Sequence, residues 1–123
     1  MAGYQDWLVW QSAMQIAEDV YRLTEDLPKH EMYSLTNQLR RAAISVPSNI
    51  AEGHGRNSPK EFNHFLGIAL GSLSALETQL LLATRLDYLK EQELTTLFKT
   101  TDETAKMLQG LKKSLIQKLM TND

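Results

Sequence analysis

Residues 61–64, Glu-Phe-Asn-His, set a carboxylate and an imidazole three positions apart. On a helix that spacing points both groups the same way, as in the Glu-x-x-His of di-iron bundles. Such centres need the motif on two helices plus further inward glutamates, and this sequence carries it once. Glu61 also has a competing duty. Ser58-Pro59-Lys60-Glu61 reads as a capping box, with Ser at the N-cap, Pro at N1 and Glu at N3. His30, beside Pro28, reads as a solvated loop residue. No Ser-His-Asp set has a nucleophile elbow, since Gly71-Ser72 falls mid-helix. The absence of cysteine removes thiolate chemistry and cysteine-ligated metal. The expectation is therefore no catalytic residue, no metal, no cofactor and no enzyme.

A second stretch, SVPSNIAEGHGR (residues 45–56), concentrates Pro, Asn, Glu, two Gly, His and Arg. The overlapping GHGRNSPK lacks the Gly-Lys-Ser/Thr ending of a nucleotide-binding loop. It could still hold an anion on backbone amides freed by Gly53 and Gly55, with His54 and Arg56 adding charge. Ser58 and Glu61 already occupy the helix terminus there, and Glu61 repels an anion. A turn between two helices is the preferred reading. Pro47, Asn49, Glu52 and Gly53 are then structural, Asn49 and Glu52 satisfying nearby backbone or arginine groups.

Arg40 and Arg41 are adjacent and must point to different sides of a helix. Arg41, Ser45, Ser48 and Glu52 recur at spacings 4, 3, 4 and share one stripe. That stripe reads as a solvated face, an ion-paired subunit contact or a phosphate-binding edge. Arg40, Arg41, Arg56, Lys112 and Lys113 are the candidate contacts to nucleic acid or a partner protein. The formal net charge of −2 disfavours a dedicated nucleic-acid binder. The charge is uneven, however. Residues 1–53 hold four Lys/Arg against seven Asp/Glu, residues 54–123 nine against eight, so a local basic surface on the last helix stays open.

Four periodic segments must position these residues. Val9, Ala13, Ile16, Val20, Leu23 and Leu27 define a helix from Asp6 to about Leu27, ended by Pro28. Leu35, Leu39, Ala42, Val46 and Ile50 define a second from about Glu31 to Gly53. Pro47 is expected to kink it, and Gly53 and Gly55 to stop it. Phe62, Leu66, Ala69, Leu73, Leu76, Leu80 and Ala83 run a third helix from Ser58 to about Tyr88. Leu94, Leu97, Thr101, Thr104, Leu108, Leu111 and Leu115 run a fourth over about 91–120. No segment alternates like a strand. Short connections between long helices give an all-α, up-down-up-down antiparallel four-helix bundle, one domain over residues 1–123. The N-terminus has no signal-peptide pattern, and no run reaches the ~18 apolar residues of a membrane span. A cytoplasmic protein away from membranes is the expectation.

The third helix carries more apolar and small surface than one stripe needs. Phe65, Ile68, Ala75, Leu82 and Leu86 lie off one side of its core stripe, Leu70 and Leu81 off the other, and the face opposite the core carries Gly67, Gly71, Ser74 and Thr78, all small. The second helix adds Ile44 on its outer side. Two readings stand: tight packing inside one protomer, or a homo-oligomer contact through Ile44, Gly67, Gly71, Ser74 and Thr78.

LRRAAISVPSNIAEGHGR (residues 39–56) and EFNHFLGIALGSLSALETQLLLA (residues 61–83) resemble the signature of the four-helix-bundle proteins related to those encoded in 23S rRNA intervening sequences. The resemblance implies a small bacterial cytosolic bundle that assembles as a ring-like pentamer, most members having no known activity; a non-enzymatic oligomeric scaffold or adaptor is the first functional expectation. A related branch serves diversity-generating retroelements, where a basic pentamer contacts a reverse transcriptase and nucleic acid. The alternative function is therefore an accessory protein binding RNA or DNA and a polymerase. A pentamer of this chain would carry about −10, a field that opposes phosphate binding.

Overall fold

The computed structural model describes residues 3–121. Four helices follow one another: α1 (Leu8–Thr24), α2 (Leu35–His54), α3 (Pro59–Arg85) and α4 (Glu91–Thr121), with 3-10 turns at Tyr4–Asp6 and Lys29–Glu31. α1 packs on α2 and α4, and α3 packs on the same two, while the diagonal pairs do not meet among the described residues. Hydrogen bonds show the antiparallel register. Lys112 reaches Asn63 at one end of the α3–α4 pair, and Thr101 donates to Glu77 farther along it.

The expected stripes fill the core. Ala13, Ile16 and Val20 of α1, and Leu66, Ala69, Leu76, Leu80 and Ala83 of α3, are fully buried. Burying each Leu or Ile contributes about 1.5–3 kcal/mol. Three details differ from the expected pattern. In α2 the fully buried alanine is Ala43, and Ala42 sits half-exposed beside it. Two successive alanines can exchange this role because neither side chain reaches far enough to fix the helix rotation. α1 stops at Thr24 instead of Leu27, where the Thr24 hydroxyl caps the Val20 carbonyl at 2.7 Å; Leu27 stays buried in the connection. α2 starts at Leu35 instead of Glu31, because the Glu31 carboxylate accepts from the Leu35 amide.

Pro47 is buried, and α2 runs unbroken through it from Leu35 to His54. Ser58 caps α3 as expected, its Oγ accepting from the Glu61 amide at 3.1 Å. α3 ends at Arg85, earlier than Tyr88. Asp87 adopts φ 62°, and the Asp87 and Tyr88 amides donate to Thr84 and Ala83 carbonyls. This is the paired-bond Schellman ending, with aspartate in the left-handed position that glycine usually takes.

Candidate interaction surface

The α2–α3 junction explains why a glycine stands at position 53. A Cβ there would lie 2.8 Å from Phe62 Cδ1 and 2.9 Å from Phe65 Cβ. Gly53 is thus buried where two helices approach closely, not a stop signal; α2 continues to His54 with Gly55 as its C-cap at φ −74°. Around this point Trp7 stacks on Phe62, and His54 sits edge-on to both rings. The sequence reading missed this aromatic cluster, because Trp7 stands at the start of the first helix, more than 45 residues before His54 and Phe62.

Along the same seam, Asn49 donates to the Ser45 carbonyl at 2.7 Å and to Ser45 Oγ at 2.9 Å. Ser72 on α3 donates to the same Ser45 Oγ at 2.8 Å. Glu52 pairs with Arg56 at 3.3 Å. The stripe of Arg41, Ser45, Ser48 and Glu52 therefore divides. Ser45 faces α3, while Arg41, Ser48 and Glu52 stay exposed.

The basic candidates are scattered and mostly engaged. Arg40 donates to Thr24 Oγ1 at 2.9 Å, with its guanidinium 4.7 Å over the Tyr21 ring. Arg56 lies 4.9 Å over Phe65 as well as beside Glu52. Lys112 donates to the Asn63 carbonyl and side chain at 3.0 and 3.1 Å. A Cβ at Gly67 would stand 3.4 Å from that ammonium, an ordinary contact, so Gly67 lies toward α4 beside Lys112. Arg41 and Lys113 are exposed and have no ion-pair partner among the described residues. They sit on α2 and α4, which are diagonal.

Glu61 and His64 form no centre. Among the described residues no group of three or more His, Asp or Glu is placed to hold a metal. His30 is exposed and lies edge-on to Tyr88.

The outer wall of α3 is the conspicuous surface. Ile68, Gly71, Ala75, Thr78, Leu82 and Leu86 recur at 3, 4, 3, 4, 4 and all are exposed. Ser74 and Leu81 flank them; Ile44, also exposed, stands one helical turn from Arg40 on the side of α2 toward α1, so it does not join this wall. By length and composition alone α3 could cross a membrane, yet only 28% of its apolar window is buried in the protomer. Its inner stripe is nonetheless committed to α2 and α4. Taking α3 into lipid would strip both neighbours of their apolar partner.

Fold and surface together define an all-α bundle with a large uncovered apolar wall. The chain belongs to the 23S rRNA-intervening sequence protein family, whose pattern matches residues 5–110. It is similar to the crystal structure of a protein of unknown function from the S23 ribosomal protein family of Bacteroides thetaiotaomicron. Identity is 23%, the TM-score 0.79, and the match covers 86% of this chain and 99% of that one. No curated protein matches the chain in sequence.

Proposed function

We propose that this protein is a non-enzymatic, homo-oligomeric scaffold or adaptor, assembled through the outer wall of α3 into a ring of five copies, a number the family resemblance supports. The observation that carries this reading is the degree to which α3 is apolar but unburied. Monomers seldom expose a continuous apolar wall, and a helix that is apolar or small nearly all round needs cover on every side. Gly71 adds to this. A Cβ there would meet nothing within 4 Å, so nothing in the protomer requires a glycine.

The nucleic-acid reading has less behind it. Three of its five basic residues are spent on internal partners, and Arg41 and Lys113 do not share a face. Light scattering at micromolar concentration tests the assembly. The expected mass is about five times 14.0 kDa, and a mass of one chain would refute the scaffold.

A further inference from the structure

We propose that the free end of α4 is a docking site for an acidic amphipathic helix of another protein. The site lies apart from the α3 wall and does not depend on the joining of copies.

α4 outlasts its neighbours at this end of the bundle. Ser12 meets Thr104, so Leu8 at the start of α1 comes level with Leu108. Lys112 meets Asn63, so Pro59 at the start of α3 comes level with Ile116. α4 continues to Thr121. It therefore runs about 20 Å beyond the start of α1, at 1.5 Å per residue. Its apolar side chains run on without cover. Leu115 is still buried, while Ile116, Leu119 and Met120 stand 44%, 37% and 72% exposed.

The charge changes where the cover ends. Residues 104–121 hold four lysines and no acid, while the rest of the chain holds nine Lys/Arg against 15 Asp/Glu. Lys106 lies within a turn of Asp102 and Glu103, which offset it. Lys112, Lys113 and Lys118 have no acid on their own helix within reach. The partner of Lys112 is the neutral Asn63, so its charge stands. On the neighbouring elements, Lys60 and Glu61 of the first turn of α3 balance each other, and Arg56 pairs with Glu52. Asp6 is the remaining acid. It precedes Trp7 and Leu8, which meet the opposite flank of α4 at Met107 and Ser114. The free end stays basic.

Basic and apolar groups share one face there. Gln109, Lys113, Ile116 and Met120 recur at 4, 3, 4. Lys112, Lys113 and Ile116 line an open groove of about 410 Å³ with Gln109 and Gln117. An occupant must offer apolar side chains to Ile116 and Met120 and carboxylates about a turn away to the two lysines. A helix presents both on one face at i, i+3, i+4 and i+7. Other anionic surfaces fit less well. A helix lying on lipid has its charges and its apolar side chains on opposite faces. A phosphate backbone gains nothing from three exposed aliphatic side chains, and residues 104–121 hold no aromatic ring for a base to stack on.

Selection of displayed helical peptides, randomised on one face, tests the site on the full chain. Enriched peptides are expected to carry Leu, Ile or Met with Asp or Glu three, four or seven positions away. Lys113→Glu and Ile116→Ser change exposed positions, so circular dichroism and the mass by light scattering are expected to stay at wild-type values. Each is expected to weaken the enriched peptide about tenfold. Lys90→Glu, at the other end of α4, should leave binding unchanged. The same peptide with Lys in place of its acid should recover binding to Lys113→Glu. Enrichment of basic peptides, no enrichment, or equal binding to all three variants overturns the proposal. A lower assembled mass in Lys113→Glu or Ile116→Ser gives the face to a second copy and overturns it as well. So does binding of duplex RNA or phosphatidylserine vesicles, lost in Lys113→Glu, with no peptide enriched. A wild-type mass of one chain refutes assembly through α3, and acidic peptides that still bind leave this site standing.

Discussion

The Tyr88 hydroxyl donates to Glu31 Oε2 at 2.9 Å, tying the α3–α4 connection to the α1–α2 connection at one end of the bundle. Glu31 accepts the Leu35 amide as well, so one carboxylate both starts α2 and holds the other turn.

That pair makes stability depend on pH at both extremes. The Tyr88 hydrogen bond, and next the Leu35 amide, hold the Glu31 carboxyl below its ordinary range. Its stabilising effect is present above the unfolded carboxyl's range and is lost as pH falls through the lowered folded value. The Glu31 carboxylate in turn pushes the Tyr88 phenol up. That contribution is present below the unfolded phenol's range and is lost as pH rises through the raised value. Tyr88→Phe is expected to lower Tm most at roughly pH 6–9, with the difference from wild type shrinking below about pH 4 and above about pH 10. Thermal unfolding across that range checks it, and a constant difference at every pH would assign Tyr88 a packing role only.

The glycines separate into opposite classes. Gly53→Ala places a methyl against Phe62 and Phe65 at under 3 Å. Overpacking of that kind costs about 1–3 kcal/mol, which exceeds the ~1 kcal/mol gained in helix propensity. Gly71→Ala meets open space, so a dissociated protomer gains up to about 1 kcal/mol. Chemical denaturation of both variants, at concentrations too low for assembly, should give shifts of opposite sign.

Much of the architecture was legible in the residues. The 3- and 4-residue spacing of α1, α3 and α4 fixes which side chains go inward, and Ser58-Pro59 fixes where α3 starts. Ala42 and Ala43 were not separable, since a methyl on either side of the stripe gives the same period. The turn after α3 was misjudged because Asp87 adopts a conformation that sequence patterns assign to glycine. The surface was less legible. Lys112 and Arg40 read as free cations because nothing local announces Asn63, 49 residues away, or Thr24. Gly53 read as a stop because its reason, two phenylalanines on the next helix, is tertiary. The exposed stripe of α3 was visible early, because a helix needs only one apolar face inside a bundle.

Asp87 offers a direct gain. Its φ of 62° is sterically unfavourable for a residue with a Cβ. Asp87→Gly keeps the bonds to Thr84 and Ala83 and relieves that strain, partly offset by a more flexible unfolded chain. The expected stabilisation is about 0.5–1 kcal/mol. Asp87→Val, which tolerates this conformation worst, should lower stability by about 1–2 kcal/mol on the same denaturation curves.

The α1–α4 seam is held in its middle by a polar pair instead of apolar contact. Ser12 Oγ and Thr104 Oγ1 lie 2.6 Å apart, and Thr104 also donates to the Thr100 carbonyl at 2.7 Å. With the Thr104 proton used there, Ser12 is the donor to Thr104. Thr104→Val removes that acceptor, keeps the volume, and leaves the Ser12 hydroxyl half-buried without its partner. The expected loss is about 1–3 kcal/mol. Ser12→Ala in the Thr104→Val background removes the orphaned hydroxyl, so the double variant should lose less than the two single losses added. A double-mutant cycle by denaturation is expected to give a coupling of about 1 kcal/mol. Strict additivity would mean that solvent already serves Ser12, and that the apolar residues above and below it close the seam.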